Sequence, residues 1–131
     1  MADKMKKILV VDDEPDVAEL IKIFLDSMGY EADVFLSCEE SVEAIKKNKY
    51  WMVFCDYMMP WTTGDKIFYK IKEIDGELAK RFVMITGAVL NERLDEFVNK
   101  EYVKVINKPF KLDVIKNIID EFEADCRRID P

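Results

Sequence analysis

The chain has 131 residues, half of them hydrophobic, and a formal net charge of −7. This length suits one domain with a full core, and the acidic balance argues against direct binding of DNA or RNA by this domain. No apolar run approaches the roughly 20 residues that a membrane helix needs. The chain contains no histidine, which excludes histidine-based catalytic triads, histidine metal sites and a phosphohistidine within this domain.

The three cysteines, Cys38, Cys55 and Cys126, are odd in number and show no paired spacing. Free thiols in a reducing compartment fit this usage better than a disulfide framework. The N-terminus also lacks the pattern of a signal peptide. We therefore expect a cytoplasmic location.

Short runs of apolar residues predict five strands. They cover residues 7–11, 31–35, 51–55, 81–85 and 102–106. The third run, WMVFC, is apolar throughout, which is typical of a strand covered on both faces.

Segments with helical spacing of apolar residues follow each strand. The first helix is expected from Pro15 to a stop at Gly29, and the second from Ser37 to about Asn48. Ile67, Ile71 and Ile74 mark a third helix that ends near Gly76. The fourth has Asn91 near its cap, and the fifth, marked by apolar residues from Leu112, ends near Cys126. Ser37 followed by Glu40 is a capping-box pattern. In the fourth helix, the apolar positions are more typical of a core face than of an output surface; they are Leu90, Leu94, Phe97 and Val98.

Five strand–helix units predict an α/β fold, a parallel sheet with helices on both faces. The expected form is a flavodoxin-like doubly wound sheet of five strands in the order 2-1-3-4-5. We expect a single domain over residues 1–131, with its core at about 6–126 and short tails. In such open sheets, sites lie beyond the carboxyl ends of the strands.

Polar residues follow four of the five predicted strands. They are Asp12 and Asp13, Asp56, Thr86 and Lys108. In the expected strand order these residues share one rim. Two carboxylates about 4 Å apart repel by on the order of 4 kcal/mol at an effective dielectric near 20, and an all-oxygen cluster of this kind suits Mg²⁺. The rim therefore predicts a magnesium site.

The same set of residues suits phosphoryl transfer. A carboxylate such as Asp56 can be the attacking group, while Mg²⁺ and Lys108 neutralise the phosphoryl oxygens. Thr86 could donate its hydroxyl to a phosphoryl oxygen.

Four fragments of the chain carry a resemblance to a known family: VVDDE, DYMMPWTTG, TGA and NKPF. On these fragments the chain resembles, over nearly its whole length, the receiver domain of two-component response regulators. Each fragment alone is a weak signal, but their joint order after the correct strands is specific. The resemblance implies that Asp56 accepts a phosphoryl group from a sensor histidine kinase or phosphotransfer protein. It also implies a signalling switch, not an enzyme, that controls a downstream output domain or protein.

The resemblance also assigns the other site residues. Asp13, Asp56 and the backbone carbonyl of Met58 would hold Mg²⁺, with Asp12 acting mostly through a bound water. Lys108 would pair with the acceptor and then with the phosphate, before a cis bond to Pro109. Thr86 would swing toward the phosphate on activation.

One position departs from the family pattern, and two others are expected to affect the lifetime of the phosphoryl group. Val105 stands where the family usually has Tyr or Phe, so a relay through an aromatic ring should be absent or rerouted. We expect Met58 to slow hydrolysis of the phosphoryl group and Gly87 to leave the entrance open to water or a phosphatase. Trp61 is expected near the site.

Two other functions stay open. One is a receiver that is never phosphorylated and only docks partners, which Val105 keeps in consideration. The other is a Mg²⁺-dependent phosphohydrolase with an aspartyl nucleophile, although the first strand is followed by Asp-Asp and not by the Asp-x-Asp of haloacid dehalogenases. A flavin-binding module is disfavoured because acids after the first strand would repel a phosphate.

Overall fold

A computed structural model describes residues 6–60, 62–87 and 91–129, with side chains through residue 125. The strands are β1 (Lys7–Val11), β2 (Glu31–Phe35), β3 (Met52–Asp56), β4 (Met58–Met59), β5 (Thr62–Thr63), β6 (Phe82–Thr86) and β7 (Lys104–Asn107). The helices are α1 (Pro15–Ser27), α2 (Cys38–Lys47), α3 (Gly64–Ile74), α4 (Gly76–Ala79), α5 (Glu92–Glu101) and α6 (Leu112–Ile129). The expectations for Trp61, Leu90 and the Cys126 thiol lie outside the described residues.

The five longer strands form one parallel sheet in the order β2-β1-β3-β6-β7. Without the two short strands β4 and β5, this is the predicted order 2-1-3-4-5. The flavodoxin-like α/β fold is therefore confirmed. The three central strands are almost wholly buried, which explains why their sequences are apolar without alternation.

Helices cover both faces of the sheet and form two core clusters. On one face α2, α3 and α5 contribute Ile45, Ile67 and Phe97. On the other face α1 and α6 contribute Ile21 and Ile119. Leu94 and Phe97 are buried in the first cluster with Val98 packed against it, so the apolar stripe of the fourth predicted helix is core, as expected.

The local helix signals are largely confirmed. The Ser37 side chain accepts a hydrogen bond from the Glu40 amide at the start of α2, and the Asn91 side chain caps α5 through the Leu94 amide. Gly29 follows α1 with a φ of +91°, the conformation that favours glycine after a helix. The last helix extends past the expected end to Ile129.

One expected boundary was wrong, and two short elements were not expected. Tyr102 does not open the fifth strand of the sheet: it is the C-cap of α5 with a left-handed backbone (φ 59°, ψ 40°), and β7 begins only at Lys104. The end of α3 at Ile74 is close to the expected end near Gly76, but Gly76 itself begins the short helix α4, which the Asp75 side chain caps and which was not expected. Between Asp56 and α3 the strands β4 and β5 form an antiparallel pair, which the sequence patterns did not predict.

The amino-terminal end of the sheet is closed by stacked side chains. The rings of Tyr30 and Trp51 are parallel with centroids 5.9 Å apart, and Lys6 Nζ lies 4.3 Å from the Trp51 ring centroid. The Tyr30 hydroxyl donates to Glu123 Oε2 on α6 over 2.7 Å.

Among the described helices, none is both long and apolar enough to cross a membrane.

Candidate functional site

The predicted polar rim forms at the carboxyl end of the sheet. Asp56 and Thr86 are the last residues of β3 and β6, while Asp12 and Lys108 directly follow β1 and β7. Because β1, β3, β6 and β7 are contiguous and parallel, their ends lie side by side. The backbone adds a direct link, since the Lys108 N–H donates to the Thr86 carbonyl over 2.8 Å.

Lys108 is the cation at the centre of this rim. Its Nζ lies 3.4 Å from Asp56 Oδ2 and 3.6 Å from Asp12 Oδ2, and it donates to Glu14 Oε1 over 2.9 Å. The peptide bond between Lys108 and Pro109 is cis, as the resemblance implied. The structure thus brings Asp12, Asp56 and Lys108 together as predicted.

Asp12 and Asp56 are buried, with 1% and 4% of their surface exposed. One Asp12 oxygen, Oδ1, accepts the Glu14 amide over 2.9 Å. The other, Oδ2, is buried and has no hydrogen-bond partner within the described part of the chain. Burying a carboxylate oxygen without a hydrogen bond is costly. The Lys108 ammonium, 3.6 Å away, offsets part of this cost, and a divalent cation would offset more.

Burial and like charge perturb the pKa values of these groups. Desolvation, with the nearby Asp12 carboxylate, raises the pKa of Asp56 to about 6, although Lys108 acts in the opposite direction. Desolvation also raises the pKa of Asp12. For Lys108 burial acts to lower the pKa, but the hydrogen bond to Glu14 and the charges of Asp12 and Asp56 outweigh it and raise the pKa. The lysine is therefore held in its charged form.

The carboxylates at the rim fit a divalent cation. Asp12, Asp13, Glu14 and Asp56 each place one oxygen within 4.8 Å of the others. Hard oxygen donors of this kind match the preference of Mg²⁺ for a few carboxylates and several waters, and Oδ2 of Asp12 accepts no hydrogen bond within the described residues that would compete with an ion. The Met58 side chain is largely exposed, and its expected carbonyl ligand stays a prediction.

Gly64 places the start of α3 against the end of β3. A Cβ on Gly64 would lie 2.9 Å from the Asp56 carbonyl oxygen and would collide with the Met84 sulfur. The Gly64 amide donates to the Tyr57 carbonyl over 2.8 Å. Glycine at this position therefore lets the β4–β5 pair return the chain close to Asp56.

Thr86 and Val105 occupy neighbouring strands, as expected. Thr86 is buried at the end of β6, and Val105, on β7, pairs with Met84 and packs partly buried against the first core cluster. Because valine has no ring, the side chain at position 105 cannot act as an aromatic relay. Gly87, after Thr86, is exposed.

Two features of the site were missed from the sequence. Glu14, the third acid of DDE, contacts Lys108. Asp65, in the first turn of α3, is buried and pairs with Arg93 on α5. The run of three acids after the first strand could have indicated that Glu14 belongs to the site. No local sequence pattern indicates the pair of Asp65 and Arg93, because the two residues lie on different helices.

A parallel sheet of five strands in this order, with its polar rim at the carboxyl ends of the strands, places the chain among α/β domains of flavodoxin-like topology. Residues 8–120 match the family model for the response regulator receiver domain. The chain therefore belongs to that family: it is a receiver domain of two-component response regulators.

Relatives and solved structures agree with this assignment. The chain is similar to the transcriptional regulatory protein RprY of Bacteroides fragilis, with 26% identity over 127 residues, which are 97% of this chain and 52% of RprY. It is 28% identical to the response regulator receiver protein CpdR of Brucella abortus over 120 residues, which are 91% of this chain and 95% of CpdR. The chain thus spans about half of RprY.

Among solved structures, the response regulator TrrA of Thermotoga maritima superposes with a TM-score of 0.77 at 29% identity. The match covers 89% of this chain and 98% of TrrA. The TrrA structure is a complex with Mg²⁺ and BeF.

Proposed function

We propose that Asp56 is the phosphoacceptor of a Mg²⁺-dependent signalling switch. The observation that carries this proposal is the position of Lys108 Nζ, 3.4 Å from Asp56 and 3.6 Å from Asp12 at the rim of the sheet. A buried carboxylate beside a fixed cation and further acids is the arrangement that phosphoryl transfer needs.

In the proposed reaction an Asp56 carboxylate oxygen attacks the phosphorus of a phosphohistidine on a partner protein. The oxygen–phosphorus bond forms as the phosphorus–nitrogen bond breaks, and the departing imidazole takes up a proton. Lys108 stabilises the charge on the phosphoryl oxygens by hydrogen bonding. Thr86, buried beside Asp56 at the end of the next strand, would donate its hydroxyl to the same group.

The residues proposed to hold Mg²⁺ are Asp12, Asp13, Asp56 and the backbone carbonyl of Met58, with Asp12 acting mostly through water. When bound, the ion supplies positive charge that offsets the repulsion between these acids and the incoming anion. Oδ2 of Asp12, which is buried and accepts no hydrogen bond within the described residues, supports this proposal.

The phosphoryl donor in this proposal is a sensor histidine kinase or a phosphotransfer protein, and the recipient of the signal is an output domain or protein. Phosphorylation adds about −1.5 to −2 charges to the rim, which would bias the surrounding loops and helices between two arrangements. We also propose that residues 1–131 act as one receiver unit in the cytoplasm, and that this unit catalyses only its own phosphorylation and dephosphorylation.

Intact mass after incubation with Mg²⁺ and acetyl phosphate tests the proposal. We expect a gain of one phosphoryl group in the wild type, no gain in Asp56→Asn, and no gain when EDTA removes the metal. Because small donors can fail, a negative result would be repeated with a phosphohistidine donor. No gain from either donor would overturn the proposal in favour of a receiver that only docks partners.

A further inference from the structure

We infer that Glu14 is a positioning residue for Lys108: it holds the lysine ammonium toward solvent and thereby slows phosphorylation of Asp56. This inference rests on the proposed function of Asp56. It concerns how readily Lys108 becomes available, and it assigns no new ligand to the site.

The contacts of Lys108 are unequal. Its Nζ lies 2.9 Å from Glu14 Oε1, nearer than to Asp56 Oδ2 at 3.4 Å or Asp12 Oδ2 at 3.6 Å. The Glu14 side chain is 59% exposed, whereas those of Asp12 and Asp56 are 1% and 5% exposed. The shortest of these three contacts of the ammonium is therefore to the most exposed of the three acids.

The backbone keeps Glu14 at this location. Glu14 is the N-cap of α1, and the next residue, Pro15, occupies the first helical position. The Glu14 amide donates to Asp12 Oδ1 over 2.9 Å. Because this hydrogen bond holds the Glu14 backbone next to Asp12, the Glu14 side chain can reach Lys108, which lies 94 residues away in the sequence.

A phosphoryl group on Asp56 would compete with Glu14 for the same ammonium. Phosphorylation brings about −1.5 to −2 charges and three acceptor oxygens, so Lys108 has to turn from Glu14 toward Asp56. The Glu14 oxygen also lies within 4.8 Å of the acceptor's ligand oxygen. Since exposed ion pairs contribute about 0.2–1 kcal/mol, releasing Lys108 corresponds to about a 1.4- to 5-fold change in rate.

The test compares initial rates of phosphorylation by acetyl phosphate at saturating Mg²⁺, measured by intact mass. Glu14→Gln keeps the shape of the side chain and removes its charge. Glu14→Asp keeps the charge but withdraws the carboxylate from Lys108 by one methylene. Glu19→Gln removes an exposed carboxylate from the same helix as a matched control.

We expect Glu14→Gln and Glu14→Asp to react about 1.4- to 5-fold faster than the wild type, and Glu19→Gln to match it. The gain should shrink as ionic strength rises from about 0.05 to 0.5 M, because salt screens an exposed pair. A change in stability alone would not show this salt dependence.

Each contrary outcome is distinct. A wild type that gains no phosphoryl group from any donor would overturn both the proposed function and this inference. A reactive wild type with Glu14→Gln at the same rate would overturn the inference alone. A faster Glu14→Gln with Glu14→Asp at the wild-type rate would show that Glu14 only repels the donor, and would also overturn it.

Discussion

The Arg93 side chain on α5 forms an ion pair with the Asp65 carboxylate in the first turn of α3. Arg93 Nε and Nη2 lie 3.1 and 3.0 Å from Asp65 Oδ2, and the Thr63 hydroxyl donates to the other oxygen. The Asp65 side chain is only 9% exposed. This pair joins α5 to the start of α3, where Gly64 packs against the carbonyl of Asp56.

Removing Arg93 should destabilise the domain. Arg93→Ala leaves the largely buried Asp65 carboxylate without this cation, and we expect the free energy of unfolding to fall by about 1–2 kcal/mol. Urea denaturation would measure the loss. Lys100→Ala removes a positive charge from an exposed position of the same helix and should change the value by less than about 0.5 kcal/mol. Equal effects of the two variants would refute a specific role for the pair.

Asp56 should make stability depend on pH. Its folded-state pKa of about 6 lies above the ordinary value of 3.8, so the folded state binds more protons between these pH values and its stability falls as the pH rises through about 6. In EDTA at pH 7.5, Asp56→Asn should therefore be more stable than the wild type by on the order of 2–3 kcal/mol.

This difference should close as the pH falls toward about 4, where the unfolded carboxyl also takes up its proton. Denaturation curves of both proteins across this range would show the convergence. Asp113→Asn, which removes an exposed carboxylate in the first turn of α6, controls for the loss of one charge. A constant difference between wild type and Asp56→Asn at every pH would contradict the linkage to Asp56.

Two glycines should respond oppositely to alanine. Gly64→Ala forces a methyl group against the Asp56 carbonyl and the Met84 sulfur, and we expect a loss of about 2–3 kcal/mol in unfolding free energy. Gly76→Ala meets nothing within 4 Å and should be neutral or stabilising by up to about 1 kcal/mol. Thermal or urea unfolding of the two variants would decide; similar losses in both would mean that the packing around Gly64 adapts.

Met58 should lengthen the life of the phosphoryl group. Its side chain, two residues after Asp56, is 62% exposed and apolar, so it offers no hydrogen bond to an attacking water. Met58→Asn supplies such a bond, and about 1 kcal/mol in the transition state corresponds to roughly five-fold faster loss of phosphate. Release of phosphate from phosphorylated protein would give the rate. Met58→Leu should keep the wild-type rate, and an unchanged rate in Met58→Asn would remove Met58 from consideration.

The sheet and its rim could be predicted because both depend on local patterns. The apolar runs identify the five strands, and parallel topology then brings the residues after four of them to one edge. Asp12, Asp56 and Lys108 meet for that reason. The same logic placed Thr86 on this rim: it ends the neighbouring strand, one residue after Ile85, which pairs with Asp56.

What could not be predicted depends on side-chain conformation or on very short elements. The contact between Glu14 and Lys108 requires two particular rotamers across 94 residues, and the pair of Asp65 and Arg93 requires two helices to approach. Strands of two residues, such as β4 and β5, are too short to show periodicity. Tyr102 reads as part of an apolar run, but its left-handed backbone ends α5, a conformation that is uncommon for a residue other than glycine.

The stack of Tyr30 and Trp51 offers a built-in optical probe. Trp51 precedes β3 and Asp56 ends it, which separates the indole from the acceptor by about 16 Å along the strand. In a Trp61→Phe background the remaining indole emission would come from Trp51, and its contacts with Tyr30 and Lys6 would be lost when the sheet unfolds. Fluorescence could then follow unfolding of the domain while the phosphoryl site is altered independently at the far end of the same strand.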